Sequence, residues 1–208
     1  MPSIGPLYPT GHGTLANGAA GEDANAWLDT LYLVADYPGL EAVITALTYD
    51  APDISQLLYA YNFGFTVPVD ATIDGIVVEV NRRSMIAGSG KDFRVQLGKG
   101  VGGAGLVGSN KADTATIWPS TLTVATYGGP TDLWGTTWTP AEVNDSSTDA
   151  RFTVSLSCRA DIQNADVAVD FIRVTVYYST APTGPQVFVG EVPATMYAGA
   201  SPATPHVG

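Results

Sequence analysis

The stretch DGIVVEVNRR, residues 74–83, has an apolar side chain at every second position from Ile76 to Val80. Ile76, Val78 and Val80 fall on one face, and Val77, Glu79 and Asn81 fall on the other. Alternation of this kind is the pattern of a half-buried β-strand. The sequence therefore predicts a strand over Asp74–Arg83, with its apolar face towards a core.

Other segments show strand patterns of the same kind, separated by glycine-rich turns. They are Leu57–Val67, Phe93–Leu97, Leu122–Tyr127, Phe152–Cys158 and Val167–Tyr178. In the last one the apolar phase shifts between Phe171 and Ile172, which indicates a bulge or a strand buried on both faces. The expected fold class is all-β, with the domain over residues 23–179.

Helix signals occur at two places. Thr139 followed by Pro140 and Glu142 has a capping residue, a proline at the first helical position and a glutamate at the third, which predicts a single helical turn. Residues 23–35 leave two alternatives open. Asp23 caps a helix that buries apolar side chains, or the segment is a loop under the sheet. The side chains that such a helix would bury are Ala24, Trp27, Leu28 and Leu31.

The composition excludes several classes of function. The 208 residues carry nine Lys plus Arg against 20 Asp plus Glu, which gives a net charge of −11 and argues against binding to DNA or RNA. The start of the chain lacks the pattern of a signal peptide, and no apolar run reaches the length of a membrane span. We expect synthesis in a cytoplasm without secretion, and use without a membrane anchor.

Proline and glycine mark two extended arms, residues 1–22 and residues 180–208. The second arm contains a nine-residue repeat, VFVGEVPAT (187–195) followed by MYAGASPAT (196–204). Two such units are too few to bury a core of their own, so the arm is either a low-complexity tail or a segment that pairs with a partner. The expected partner-binding residues are Leu7, Tyr8, Leu15, Phe188, Val189, Val192, Met196 and Tyr197.

Candidate catalytic residues do not form a constellation. His12 and His206 lie in the two arms, and Cys158 lies on the apolar side of its strand. The glycine-rich stretch 98–105 lacks the Gly-Lys-Ser/Thr ending of a phosphate-binding loop, and no calcium-loop motif occurs. We expect no enzyme activity, no cofactor and no metal, although a Ca²⁺ site built from scattered loop carboxylates stays open.

Two tryptophans lie in the turn-rich stretch after residue 127. Trp134 and Trp138 are candidate glycan-facing residues, since exposed rings stack on sugars. The alternative, which we favour, is a long connection that its rings hold against the core.

Three motifs occur in order along the chain: YNFGFTVPVDATIDGIVVEVNRR (61–83), YGGPTDLWGTTWTPAEVN (127–144) and VDFIRVTVYY (169–178). Together they resemble a β-sandwich domain that recurs in structural proteins of tailed bacteriophages, with the pattern FGFxIPxxAxIxGIxVEV, GGxxDLWGxxWTPxxIN and xDxIRxTVYY. The resemblance covers roughly residues 60–178. Residues 23–56 depart from it, since the family has a simpler Trp-containing strand pair there.

The resemblance implies an antiparallel, jelly-roll-like β-sandwich in a virion, without catalytic residues. The function that it favours is a capsid decoration (cement) or head-fibre protein, which binds and stabilises the particle through its arms. The implied partners are other virion proteins, either the major capsid protein or tail proteins, and further copies of the chain, since trimers are common for such sandwiches. The alternatives are a tail, baseplate or connector component, or a receptor- or glycan-binding module of a tail fibre.

Overall fold

A computed structural model of the protein describes residues 1–15, 25–36, 38–49, 54–100, 105–147 and 151–181. These residues form ten strands, one α-helix and one 3₁₀ helix. The first strands are β1 (Ser3–Leu7), β2 (Gly11–Leu15), β3 (Ala42–Leu47), β4 (Leu57–Tyr61) and β5 (Thr72–Ser84). The others are β6 (Gly90–Lys99), β7 (Leu106–Val107), β8 (Thr123–Gly129), β9 (Phe152–Ala160) and β10 (Ala165–Ser179). The helices are the 3₁₀ helix Thr30–Val34 and α1 (Pro140–Asn144).

The strands pair into two antiparallel sheets. Sheet A has the order β1-β10-β5-β8, with β3 pairing along a second part of β10, and sheet B has the order β2-β4-β9-β6-β7. The longest ladder joins β10 to β5, from Ser179 opposite Thr72 to Val167 opposite Ser84. The two sheets pack face to face as a sandwich, so the predicted all-β antiparallel fold is confirmed.

The core lies between the sheets and comes from alternate residues of each strand. Ile76, Val78 and Val80 of β5 are fully buried, as the alternation predicted. From sheet B, Val154 and Leu156 of β9 belong to the same core. Burial of this apolar surface on both inner faces is the main force that holds the two layers together.

Strand β10 shows both features that its sequence left as alternatives. Its register against β5 shifts between Val169 and Phe171, one residue before the predicted position, and the strand is buried on both faces over much of its length. Asp170 stands at this bulge, and its carboxylate accepts a hydrogen bond of 2.8 Å from the Asn81 amide. The extra residue explains why the apolar phase of the sequence changes there.

The predicted N-terminal arm is corrected by the structure over residues 3–15. β1 pairs with β10, and β2 pairs with β4, so this segment supplies an outer strand to each sheet. Its glycines and proline suggested an extended arm, but proline is tolerated in edge strands. The glycines have a packing reason: a Cβ at Gly11 would overlap the Tyr61 ring, and one at Gly13 would overlap the Tyr59 ring.

Strand β6 differs from its expected alternation. The pattern placed Phe93 on the same face as Val95 and Leu97, but only the last two are buried in the core. The register against β9 shifts between Asp92 and Arg94, which turns Phe93 outwards and buries Asp92. A bulge before Arg94 therefore places a carboxylate between the sheets.

Two segments are less regular than expected. Of the predicted strand Leu57–Val67, only Leu57–Tyr61 is a strand, although Phe63, Phe65 and Val67 are buried. Residues 25–35 form a loop with the short 3₁₀ helix, which supports the loop alternative, and Asp23 and Ala24 lie outside the described residues. Trp27 is buried there, whereas Leu28 and Leu31 are 54% and 51% exposed.

Helix α1 begins with the predicted capping box. The Thr139 hydroxyl accepts a hydrogen bond from the Glu142 amide at 3.2 Å, and the Glu142 carboxylate accepts one from the Thr139 amide at 2.8 Å. Both bonds satisfy amides that a helix start leaves without partners. The single turn is thus fixed by local sequence.

We expect Thr139→Ala to lower the free energy of unfolding by about 1 kcal/mol, because the Glu142 amide loses its acceptor. Urea unfolding followed by far-ultraviolet circular dichroism measures the change. Thr121→Ala, at an exposed position outside the strands, is the matched control and should have an effect within about 0.5 kcal/mol. Equal effects of the two variants would contradict a role for the cap.

Candidate functional site

The two candidate glycan-facing tryptophans are buried, which corrects that expectation. Trp134 has no exposed surface and Trp138 is 6% exposed. The Trp134 indole nitrogen donates to the Ile76 carbonyl at 2.9 Å, and the Trp138 indole nitrogen donates to the Leu133 carbonyl at 3.2 Å. Neither ring presents a face to a sugar, and both hold the connection against the sandwich, as the alternative expected.

The predicted N-terminal partner residues make their contacts within the sandwich. Leu7 packs against the hydrophobic core, and the Tyr8 ring meets the Phe171 ring edge-on with 5.5 Å between centroids. Leu15 is half-buried at the end of β2, opposite Leu57. These contacts hold the first strands in place, because apolar side chains and ring pairs stabilise the edges of the sheets. The C-terminal partner residues lie outside the described residues; they are Phe188, Val189, Val192, Met196 and Tyr197.

The two candidate nucleophile and base residues in the described ranges are not brought together. Cys158 is fully buried, and burial raises the pKa of its thiol to about 12, so the thiolate is scarce at neutral pH. His12 lies on β2, half-buried, with Nδ1 2.9 Å from the Thr30 hydroxyl, and burial lowers its pKa. Each side chain has a structural neighbour that accounts for its position, and His206 lies outside the described residues.

A buried ion pair lies between the sheets, and no pattern in the sequence predicted it. Arg82 of β5 approaches Asp92 of β6, with 3.5 Å between Nε and Oδ1. The Asp92 carboxylate also accepts hydrogen bonds from the Trp118 indole at 2.7 Å and the Tyr127 hydroxyl at 2.8 Å. Burial and then the nearby Asp92 charge raise the pKa of Tyr127. Every member has partners, so the cluster is part of the framework rather than a binding site.

The outer face of sheet B is the candidate functional site. Along β9, Phe152 and every second residue after it point into the core, so the intervening side chains point outwards. Thr153, Ser155 and Ser157 form a row on this outer face, and all three are fully buried. Their hydroxyls have no hydrogen-bond partner. A row of buried hydroxyls in this state is unusual, because native proteins pair nearly all such groups.

Large side chains flank the hydroxyl row on both sides. Tyr59 and Tyr61 of β4 lie opposite Ser155 and Thr153, and their rings stack at 5.9 Å with 22° between their planes. The rings lie over the glycines of β2, on the side away from β9. A planar aromatic pair therefore borders the row along one edge.

Polar and cationic side chains border the other edge and one end. On β6, Arg94 lies opposite Ser157 and Gln96 opposite Ser155, and an Arg94 guanidinium nitrogen donates to the Gln96 amide oxygen at 2.9 Å. Arg151 precedes the row on the same face, with its guanidinium 3.9 Å from the Tyr61 ring centroid. Its Nε is buried without a partner. In a chain of net charge −11 this face is locally cationic.

Other features of the described residues do not form a site of comparable kind. No group of three or more His, Cys, Asp and Glu side chains in the described ranges is arranged to hold a metal ion. Nor do the described helices include one with the length and apolar character needed to span a membrane. A groove of about 390 Å³ opens beside Phe63 and Phe65 at one end of the sandwich, and its charged side chain is Asp145.

Comparison with known proteins finds likeness in fold alone. No protein-family model matches the chain, and no curated protein is similar in sequence. A xylan-binding CBM22-1 domain of Xyn10C from Paenibacillus barcinonensis is similar in structure, with 7% identity and a TM-score of 0.38 over 81% of this chain and 87% of that one. An exo-beta-agarase is similar with 12% identity and a TM-score of 0.37, and the match covers 88% of this chain but 25% of the agarase chain.

Proposed function

We propose that the chain is a non-enzymatic structural protein of a tailed-bacteriophage virion, and specifically a capsid decoration or head-fibre protein. The resemblance of three segments to such proteins motivates the proposal. Segment 61–83 contains all of β5 but its last residue, segment 127–144 contains the end of β8 and α1, and segment 169–178 lies within β10. The segments are far apart in sequence, so their places in the fold bear on whether they belong together.

The observation that carries the proposal is that these segments form one packed unit. β5 pairs with β10 on one side and with β8 on the other. The Asn144 side chain accepts from the Val67 amide at 3.0 Å and donates to the Val67 carbonyl at 2.8 Å, and Trp134 bonds to Ile76. Residues of the shared pattern thus make the contacts that join the segments, as a common framework requires.

The proposed mode of binding uses the nine-residue repeat of residues 187–204. All described strands lie within residues 3–179, so the repeat follows the last of them. Extended segments bind by adding strands to exposed sheet edges, where main-chain hydrogen bonds supply affinity. Two similar units in series gain from effective concentration when they meet equivalent sites on the particle. The acidic charge of the protein discourages adhesion to nucleic acid.

We expect deletion of residues 181–208 to leave a folded domain that binds DNA-filled heads about 100-fold more weakly, because the linked contacts are lost. Co-sedimentation of labelled protein with particles that lack it measures the binding, and the melting temperature reports folding. A full-length chain with residues 187–204 in scrambled order is the matched control for length and composition, and it should bind as weakly as the deletion. Full-strength binding by the folded deletion variant would refute the role of the repeat.

The same preparation separates the alternatives. A tail, baseplate or connector component would sediment with isolated tails instead of heads. A receptor- or glycan-binding module would bind neither heads nor tails through the repeat. It would bind host cells instead. Sedimentation with heads is the result that the proposed function requires.

A further inference from the structure

We infer that the outer face of sheet B is a carbohydrate-binding surface, which goes beyond the proposed structural role. The face has a row of hydroxyls on β9, an aromatic pair on β4 and cationic and amide side chains beside them. Its members are Tyr59, Tyr61, Arg94, Gln96, Arg151, Thr153, Ser155 and Ser157.

The hydroxyls of the row are the first step of the argument. Thr153, Ser155 and Ser157 are buried, unpaired and aligned at every second position of one strand. Each such group destabilises the fold, because it has left water without gaining a partner. A serine or threonine that only filled space here would be replaced by alanine or valine without loss. Unpaired hydroxyls are useful if a ligand supplies the missing partners.

The chemistry of the row selects the class of ligand. A hydroxyl both donates and accepts, and so do the hydroxyls of a sugar, whereas a guanidinium only donates. Extended peptides bind to the edges of sheets through their backbone and not across a face. Nucleic acid needs more positive charge than a chain with nine Lys plus Arg offers. The Gln96 amide is already used within the fold, because it donates to the Val107 and Gly108 carbonyls and accepts from Arg94. A carbohydrate fits the remaining hydroxyl and guanidinium groups best.

The length of the row fits a chain of sugars, and the aromatic pair adds apolar contact at its border. The Arg151 guanidinium already covers the Tyr61 ring, 3.9 Å from its centroid, so the half-buried Tyr59 is the ring left for contact with a sugar. Side chains on one face of a strand recur about every 6.7 Å, so the row from Arg151 to Ser157 is about 20 Å long. That length accommodates several linked sugar units along β9.

Arg151 adds a preference within that class. Its Nε is buried without a partner at one end of the row, where a sugar carboxylate would receive a charge-assisted hydrogen bond. Carboxylated polysaccharides should therefore bind more tightly than neutral ones. The three hydroxyls are fully buried, so binding requires bordering side chains to change rotamer, and the half-buried Arg94, opposite Ser157, is one that must move.

Affinity electrophoresis of the full chain tests the inference. The native gels contain dextran or hydroxyethylcellulose as neutral polymers, and polygalacturonate or alginate as carboxylated ones. We expect retardation in at least one gel, strongest with a carboxylated polymer. The variant Thr153→Val/Ser155→Ala/Ser157→Ala should lose at least tenfold in affinity, while its melting temperature stays the same or rises because no hydrogen bond is removed.

Thr126→Val, on the exposed outer face of the other sheet, is the control for removal of a hydroxyl and should bind like the parent chain. Ser155→Ala alone replaces the triple variant if that variant does not fold. The inference is overturned if no polymer retards the full chain, or if removal of the hydroxyls leaves retardation unchanged. The proposed particle binding depends on residues 181–208, whereas retardation by a polymer depends on the outer face of sheet B. A negative result in the gels therefore leaves the proposed function untouched, and loss of particle binding leaves this inference untouched.

Discussion

Asp92→Asn is expected to lower the free energy of unfolding by about 3–5 kcal/mol, because it leaves the Arg82 guanidinium buried without its counter-charge. The Asp92 side chain has no exposed surface, and that of Arg82 is 7% exposed. Water cannot replace the lost carboxylate at such a site. For a domain of this size the melting temperature should fall by about 6–20 °C.

The hydrogen bonds of Asp92 add to the effect. The carboxylate accepts hydrogen bonds from the Trp118 indole, the Tyr127 hydroxyl and the Asp113 amide, the last at 3.0 Å. An asparagine side chain offers one acceptor oxygen, and its amide nitrogen can only donate. At least one of these donors therefore loses its acceptor. Urea unfolding by fluorescence and circular dichroism together measures the loss and tests whether unfolding stays two-state.

Two further variants separate burial from charge. Asp161→Asn breaks the ion pair with Lys91, in which the Asp161 side chain is 30% exposed and the Lys91 side chain 24%. This variant should lower the free energy of unfolding by less than about 1 kcal/mol. The double variant Arg82→Met/Asp92→Leu removes both charges from the interior but leaves the Trp118 and Tyr127 donors without the carboxylate, so it should recover only part of the stability. An Asp92→Asn effect as small as that of Asp161→Asn would show that the buried pair contributes little.

The contrast between β5 and β6 shows what the sequence could predict. In β5 the alternation of Ile76, Val78 and Val80 is unbroken, so the strand and its buried face followed from periodicity. In β6 the same alternation misleads, because the bulge between Asp92 and Arg94 exchanges the faces. The bulge of β10 shifts the apolar phase of its sequence, but this one leaves the alternation of Phe93, Val95 and Leu97 unbroken. Asp92 is buried only because Arg82, Trp118 and Tyr127 come from elsewhere in the chain.

The candidate site was missed for a similar reason. Thr153, Ser155 and Ser157 alternate with apolar residues, which is the pattern of a solvated outer face. They are buried in the folded chain with residues of β4 and β6 opposite them, and pairings between distant segments are not visible in periodicity. The signal that was available is compositional: β9 carries three small hydroxyl residues where an outer face usually has long charged ones. By contrast, the α1 cap is local and was predicted residue by residue.

Trp134→Ala is expected to lower the free energy of unfolding by about 3–5 kcal/mol, because the substitution leaves a cavity in a fully buried site. The ring packs closely against the backbone of β8, and a Cβ at Gly128 would stand 2.6 Å from the indole nitrogen. Loss of the indole also removes the donor that satisfies the Ile76 carbonyl across the sheet edge. The connection after β8 should detach locally before the sandwich unfolds.

Trp134→Phe separates these contributions, since it retains most of the apolar contact and removes only the indole donor. It should cost less than Trp134→Ala but more than Tyr49→Ala, a control at a position that is 54% exposed and should change stability by less than about 0.5 kcal/mol. Urea unfolding of the three variants gives the order. A sugar-facing tryptophan would behave in the opposite way, because its removal would abolish binding and leave stability unchanged. Stability loss in the order Trp134→Ala, Trp134→Phe, Tyr49→Ala is therefore the result that separates a framework ring from a binding platform.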